Sequence, residues 1–242
     1  MPDTAKLSTR IKEEAQRLGF ALVGISPVRL PPHEESFAQW LRDELAGELD
    51  YMKRTEALRR DPKKLVPWAA SVISVGMNYY TPLPRPEPSA DSRGWISRYA
   101  WGDDYHDLMK AKLDALLARI RELHAEPLQG RAFVDSGPVL ERDIAGVAGL
   151  GWIGKNTHLI SPKKGSWFFF GRIVSRSAAR LRSADSRSLR PLRGVSQGLS
   201  HGRVPRPLRA RCAPLHLLSH HRAQGLDAAP SAAADRQPCF WL

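Results

Sequence analysis

Cysteine is almost missing from this chain. Two residues, Cys212 and Cys239, stand among 242, too few and too far apart for a disulfide framework or a cysteine-built metal site. Long apolar runs are missing too: no stretch of 18 or more apolar residues occurs, so there is no transmembrane helix to place. Met1 to Leu18 carries charges throughout, where a secretory leader has a basic patch followed by an apolar stretch. These absences predict a soluble, cytoplasmic protein without a membrane partner. H-E-x-x-H, the P-loop and G-x-S-x-G are absent as well, which removes metalloprotease, NTPase and α/β-hydrolase readings. No internal repeat is visible.

Lysine is the last conspicuous absence, and it is local. From Arg172 onward there are 13 Arg, 3 Asp and no Lys, a charge of +10 out of the +12 of the whole chain. The net charge invites a nucleic-acid reading, because clustered basic side chains displace counterions from phosphates. Its distribution argues otherwise for residues 1 to 171, whose 24 basic and 22 acidic residues nearly cancel. The segment 172–242 is rich in Arg, Ser, Ala and Pro and lacks periodicity, which predicts a disordered tail.

What is present reads as one α+β domain, a mixed sheet flanked by helices. Leu7, Ile11, Ala15 and Leu18 share a helical face that Gly19 closes. Phe20 to Ile25 reads as a strand ended by Ser26-Pro27. His33 to Leu49 reads as a second helix, with Phe37, Trp40, Leu41 and Leu45 inward. Ser71 to Tyr80 has the β-branched and aromatic content of a buried strand. The alternating prolines Pro82, Pro84, Pro86 and Pro88 require an extended connection. Asp104 to His124 is the clearest helix, Arg131 to Val134 a short strand, and Val139 to Ala148 a helix. Trp152 to Phe170 alternates strand-like stretches around a hairpin turn at Lys163-Lys164-Gly165.

Among these segments Asp135 is the best chemical candidate, because a side chain at a strand end is held rigidly while facing open space. An Asx-turn or a cap for the next helix is the other use of such a residue. Gly149-Leu150-Gly151-Trp152-Ile153-Gly154 has the letters of a dinucleotide fingerprint but follows a helix and enters a strand, the reverse of that motif. Its glycines either let the backbone approach something bulky and flat, with Lys155 and Asn156 as polar contacts, or make a tight αβ connection. Asp103 or Asp104 is placed to cap the long helix, with Tyr105 and His106 facing inward or toward a ligand. Arg59 and Arg60 beside Asp61-Pro62 supply two fixed charges, for which surface salt bridges are the ordinary use.

In order and spacing, Arg59-Arg60-Asp61-Pro62, the Ser71 to Tyr80 strand, Arg98-Tyr99-Ala100-Trp101-Gly102-Asp103-Asp104-Tyr105-His106, Val134-Asp135-Ser136-Gly137-Pro138-Val139-Leu140-Glu141-Arg142, Ala148 to Thr157, and Gly165-Ser166-Trp167 resemble the epoxyqueuosine reductase family. The resemblance implies that residues 1–171 form a cobalamin-binding catalytic domain. The implied activity is reduction of the epoxide of epoxyqueuosine, at the wobble position of tRNA, to queuosine. It also implies base-off cobalamin, two [4Fe-4S] clusters, an external electron donor and a monomeric enzyme. By motif matching Asp135 is the proton donor, while Arg59, Ser97, Asp135, Gly151 and Asn156 fall at or near cobalamin-contacting positions.

The chain then departs from the family. The resemblance implies a ferredoxin-like domain with C-x₂-C-x₂-C-x₃-C-P runs after the Gly-Ser-Trp segment, whereas here the match is read to stop at Gly171 and the Arg-rich 172–242 follows. A frameshift near codon 171 is the expectation, with loss of activity as its consequence. Two other readings compete: a basic RNA-binding protein without catalysis, and a corrinoid reductase of the dehalogenating class acting on small molecules.

Overall fold

The computed structural model describes residues 4–83, 96–124, 126–135 and 137–176. The prolines Pro84, Pro86 and Pro88, residue Ser136, both cysteines and the stretch 177–242 lie outside the described residues. The chain opens with helix α1 (Thr4–Arg17) and strand β1 (Leu22–Pro27). Helices α2 (Glu34–Arg42), α3 (Asp50–Arg54), α4 (Glu56–Arg60) and α5 (Pro62–Leu65) lead to strand β2 (Ser71–Asn78). A 3₁₀ turn (Arg98–Ala100) precedes the long helix α6 (Tyr105–Leu123) and strand β3 (Gly130–Val134). Helix α7 (Glu141–Val147), the short strands β4 (Trp152–Ile153) and β5 (Leu159–Ile160), and strand β6 (Phe168–Ser175) complete the order. The α+β class holds, and within it every described strand pairing is antiparallel.

The main sheet runs β1-β2-β6-β3, so the two longest strands, β2 and β6, are central. Period-two alternation divides its side chains between two cores. Ile73, Val75, Met77, Val134 and Ile173 join Ile11 and Ala15 of α1 and Met109, Leu113, Leu116, Leu117 and Ile120 of α6 on one face. Val72, Phe133 and Val174 meet Val66, Ala69, Val139 and Ile144 on the other. Each fully buried aliphatic side chain there contributes about 1.5 to 3 kcal/mol. Gly171 is what lets α6 lie this close: a Cβ there would meet Leu113 Cδ1 and Met109 Cε at 2.8 Å.

Helix ends follow one device used three times. After α1, Gly19 takes φ +89° while its amide donates to the Gln16 carbonyl (2.9 Å) and that of Phe20 to Ala15 (3.1 Å), the paired bonds of a Schellman cap. Gly149 repeats this after α7, with Leu150 reaching Ala145 at 3.0 Å. The third case corrects the sequence reading. The helix expected over His33 to Leu49 stops at Arg42, because Glu44 adopts φ +55° and Leu45 bonds back to Trp40. A glutamate in the glycine position gave no signal.

Two further boundaries move. Strand β1 extends through Pro27, which an edge strand tolerates because proline has no amide to pair. The break expected at Gly171 falls inside β6, which stays paired as far as Ser175 with Ser71 on one side and Gly130 on the other. Arg172, read as the first residue of a basic tail, is instead buried within that strand.

Candidate functional site

Strand β3 delivers Asp135 one residue beyond its last pairing, and the backbone there takes φ +40°, a left-handed conformation that costs a non-glycine residue about 1 to 3 kcal/mol. The N-terminus of α6 meets it. Asp104 caps that helix, its Oδ1 accepting from the backbone amide of His106 at 2.8 Å and lying 2.8 Å from His106 Nδ1. The first helical residue, Tyr105, donates its hydroxyl to Asp135 Oδ2 at 2.7 Å. His106 Nε2 stands 3.5 Å from the same oxygen, too long for a good hydrogen bond but close enough for charge to be felt. The Asp135 side chain keeps 53% of its surface open to solvent.

Tyr105 is fixed from behind. Its ring stacks on Phe169 of β6 at 4.0 Å with planes parallel to 1°, and on His106 at 4.1 Å. Burial, then the Asp135 carboxylate, push its phenol far above the ordinary range, so it remains a neutral donor. The aromatic row continues from Phe169 to Tyr79 (4.7 Å), Trp167 (5.7 Å) and Tyr80 (5.5 Å). Arg98 lies over Tyr80 and Trp101 at 5.4 and 5.0 Å. Tyr80, Trp167 and Ile96 leave this end of the row exposed.

On the inner side of Asp135 lies a second group of charges. Arg172 of β6, 4% exposed, pairs with Glu141 at the start of α7. Desolvation pushes the Glu141 carboxyl above its ordinary value, against the pull of Arg172. Arg59 of α4 is half-buried, and desolvation lowers it while Tyr51, Glu141 and Asp135 act in the opposite sense. Arg142, lowered first by burial and raised by Glu141 and Asp135, donates to the Thr157 carbonyl at 2.8 Å. That bond ties the turn after β4 to the same corner.

The expected site residues therefore separate. Asp135 does not cap a helix: α7 starts six residues on, with Leu140 at its cap position and no side-chain cap bond. Arg59 shares the Asp135 corner. Ser97 stands beside Arg98, at the opposite end of the aromatic row, where its carbonyl accepts from Ala100. Gly151 closes on the protein itself, since a Cβ there would run into the Ile160 carbonyl. Asn156 Oδ1 accepts from the His158 amide at 3.2 Å within the same turn. The tight αβ connection accounts for the close packing of Gly151. Sequence reasoning missed the Tyr105–Asp135 bond, Phe169, and the Glu141–Arg172 pair. Only the neighbouring letters Tyr105-His106 hinted at the first, and nothing in the sequence pairs residues 141 and 172.

The family model described as "Epoxyqueuosine reductase QueG, DUF1730" matches residues 59–136, the span that includes Arg59, Ser97 and Asp135. The epoxyqueuosine reductase of Pseudomonas aeruginosa is 45% identical over 177 residues, 71% of this chain and 48% of that protein. The one from Escherichia coli K12 is 40% identical over 177 residues. Over about 70% of its length this chain is similar to epoxyqueuosine reductases at 40 to 45% identity. Among solved structures, the epoxyqueuosine reductase of Streptococcus thermophilus superposes with a TM-score of 0.60 at 26% identity, covering 70% of this chain and 45% of its own. Another, solved with a tRNA-Tyr epoxyqueuosine-modified stem loop, gives 0.59 at 25% identity, covering 73% and 47%. The chain spans about half the length of the curated relatives it matches.

The family resemblance implies two kinds of cofactor, and this chain's residues fit them differently. A corrin is broad, flat and partly apolar, and the aromatic row from Trp167 and Tyr80, exposed at that end, to the half-buried Tyr105 and to Asp135 suits such a ligand. Iron–sulfur clusters do not fit this chain. Two [4Fe-4S] clusters take eight thiolates where the sequence has two cysteines. Among the described residues no group of three His, Cys, Asp or Glu is placed to hold a metal, and no helix is long and apolar enough to cross a membrane.

Proposed function

We propose that residues up to about Ser175 form the substrate-facing catalytic domain of an epoxyqueuosine reductase, acting in the cytoplasm on tRNA that carries epoxyqueuosine at the wobble position. The observation that carries this reading is the Asp135 carboxyl, held by Tyr105 and His106 at a strained strand end, in a chain 40 to 45% identical to reductases of that name. The solved relative bound to an epoxyqueuosine-modified stem loop supports tRNA as the substrate class.

In the overall change two C–O bonds break, a C=C bond forms and the epoxide oxygen leaves as water, consuming two electrons and two protons. Cobalamin, when bound, would supply the electron pair. This chain supplies one of the two protons, from Asp135, and water supplies the other. Tyr105 donates to Oδ2 of Asp135 and so fixes the carboxyl that presents a proton to the epoxide. Ligand and substrate covering this corner remove water from the carboxyl, and desolvation favours its neutral, proton-carrying form. Tyr105 holds the carboxyl in place without competing as an acid, because its own proton is so firmly retained. On this reading Arg59 and Asp135 meet the corrin, and Ser97 joins them where the ligand extends along the aromatic row. Gly151 and Asn156 border the corrin from the turn that Arg142 holds.

Electrons would have to reach the site from an external donor through cluster ligands that this chain does not have. The expected result is that the purified monomeric chain binds cobalamin, seen as corrinoid absorbance after gel filtration, yet makes no queuosine from epoxyqueuosine-tRNA with a chemical reductant. Turnover that depends on an iron chromophore would overturn the second half of that expectation. Absence of corrinoid binding, with RNA binding through the Arg-rich 172–242, would replace the enzyme reading by that of a basic RNA-binding protein. Corrinoid binding with turnover of a small halogenated molecule and indifference to tRNA would favour the dehalogenating class.

A further inference from the structure

An acid that gives up its proton at each turnover must be recharged, and the structure shows a side chain positioned for that task. His106 lies between two carboxylates. Its Nδ1 is 2.8 Å from Asp104 Oδ1 and its Nε2 is 3.5 Å from Asp135 Oδ2. Asp104 is itself anchored, because the same Oδ1 caps α6 through the His106 amide, and these contacts hold its carboxyl below the ordinary range. A carboxylate so fixed keeps the Nδ1 proton of the imidazole and leaves Nε2 as the nitrogen that gains or loses one. His106 is 45% exposed, so water reaches the ring. Its face is stacked on Tyr105 at 4.1 Å, which restricts the swing of Nε2 to the neighbourhood of Asp135.

We propose that His106 is the proton relay that recharges Asp135, taking a proton from solvent at Nε2 and passing it to Oδ2 of the Asp135 carboxylate. The proposal deepens the reading of Asp135 as proton donor and rests on it. The step balances as a single transfer: the Nε2–H bond of the imidazolium breaks, an O–H bond forms on Asp135, and the ring returns to its neutral Nδ1–H form. His106 acts only through Asp135 and touches no reacting atom. The other groups that bear on the pair are Tyr105 and Asp104 on the same helix, and Arg59, Glu141 and Arg142 from α4 and α7, which act on Asp135. Tyr105 stays neutral and does not contribute a proton. At 3.5 Å the transfer requires the Asp135 carboxylate, half in solvent, to turn toward Nε2.

The test is a nuclear magnetic resonance titration of the whole chain, following the imidazole nitrogens of His106 and the carboxyl carbon of Asp135. In the wild-type chain the neutral ring should be the Nδ1–H tautomer, and the Asp135 carbon should show a second inflection at the His106 midpoint. His106→Gln, which keeps a polar side chain but carries no titrating proton, should abolish the second inflection while the spectrum stays dispersed as in the wild type. A neutral His106 ring in the Nε2–H tautomer, or a wild-type Asp135 curve without the second inflection, overturns the relay. The wild-type measurement needs no variant, so a misfolded substitution cannot decide the matter. Corrinoid absorbance on the same samples separates the two failures: a relay that fails where cobalamin still binds leaves the catalytic reading of Asp135 standing.

Discussion

Two acid–base clusters lie on opposite sides of the same loop and use nearly the same chemistry. In one, the buried Arg172 pairs with Glu141, which is 20% exposed. In the other, Asp135 meets Tyr105 and His106 with half its side chain exposed. The difference teaches what burial does to a charge pair. A buried guanidinium has no solvent to fall back on, so its partner is obligatory and the pair locks α7 onto β6. An exposed carboxylate loses little when a partner leaves, which is the freedom a proton-transferring group needs.

The comparison breaks most visibly at Arg172. Arg172→Met removes the guanidinium and strands Glu141, which should cost about 3 to 5 kcal/mol, measured by chemical denaturation of the chain. Adding Glu141→Leu should recover most of that loss, since an apolar pair of similar volume replaces a buried ion pair at little cost. If the single variant unfolds at the wild-type denaturant concentration, the inner cluster is no lock.

A smaller effect is expected at Gly151. Gly151→Ala drives a methyl group into the Ile160 carbonyl, which should cost about 1 to 3 kcal/mol and loosen the turn that Arg142 holds, again read by denaturation.

Tyr105 sharpens the contrast by pH. Its phenol is raised from a reference of 10.0, so the folded chain resists forming the phenolate that the unfolded chain forms freely. That stability is whole below about pH 10 and drains away as pH climbs from there toward the folded value. Tyr105→Phe should remove this alkaline slope, leaving the part due to Tyr79, which burial also raises.

The smallest effect belongs to Asp135. Asp135→Gly relieves a left-handed backbone and gives up only exposed contacts, so stability should change by about 1 kcal/mol or less while any proton delivery is lost. A large loss of stability would mean that Asp135 belongs with the inner cluster.

Much of this was legible in order along the chain. The apolar stripe of Leu113, Leu116, Leu117 and Ile120 announced α6, and the β-branched run from Ser71 announced the central strand, because both are periodic signals carried by neighbouring residues. Asp135 stood out by its place at a strand end. The spots where the reading failed share a cause. Glu44 ends a helix in a conformation usually given to glycine, and Arg172 looks like the arginines that follow it until β2 and β3 are seen to flank it.

By itself the sequence determined the family of the N-terminal part, the alternation that splits the sheet between two cores, and the shortage of cysteine that denies this chain its own iron–sulfur ligands. Only the tertiary structure decided that Tyr105 and His106 converge on Asp135, that Arg172 answers Glu141, and that the glycine segment closes on Ile160. Periodicity and composition are written between residues close in sequence, whereas these contacts join residues about 10 to 30 positions apart, and their partners are chosen by how the helices pack on the sheet.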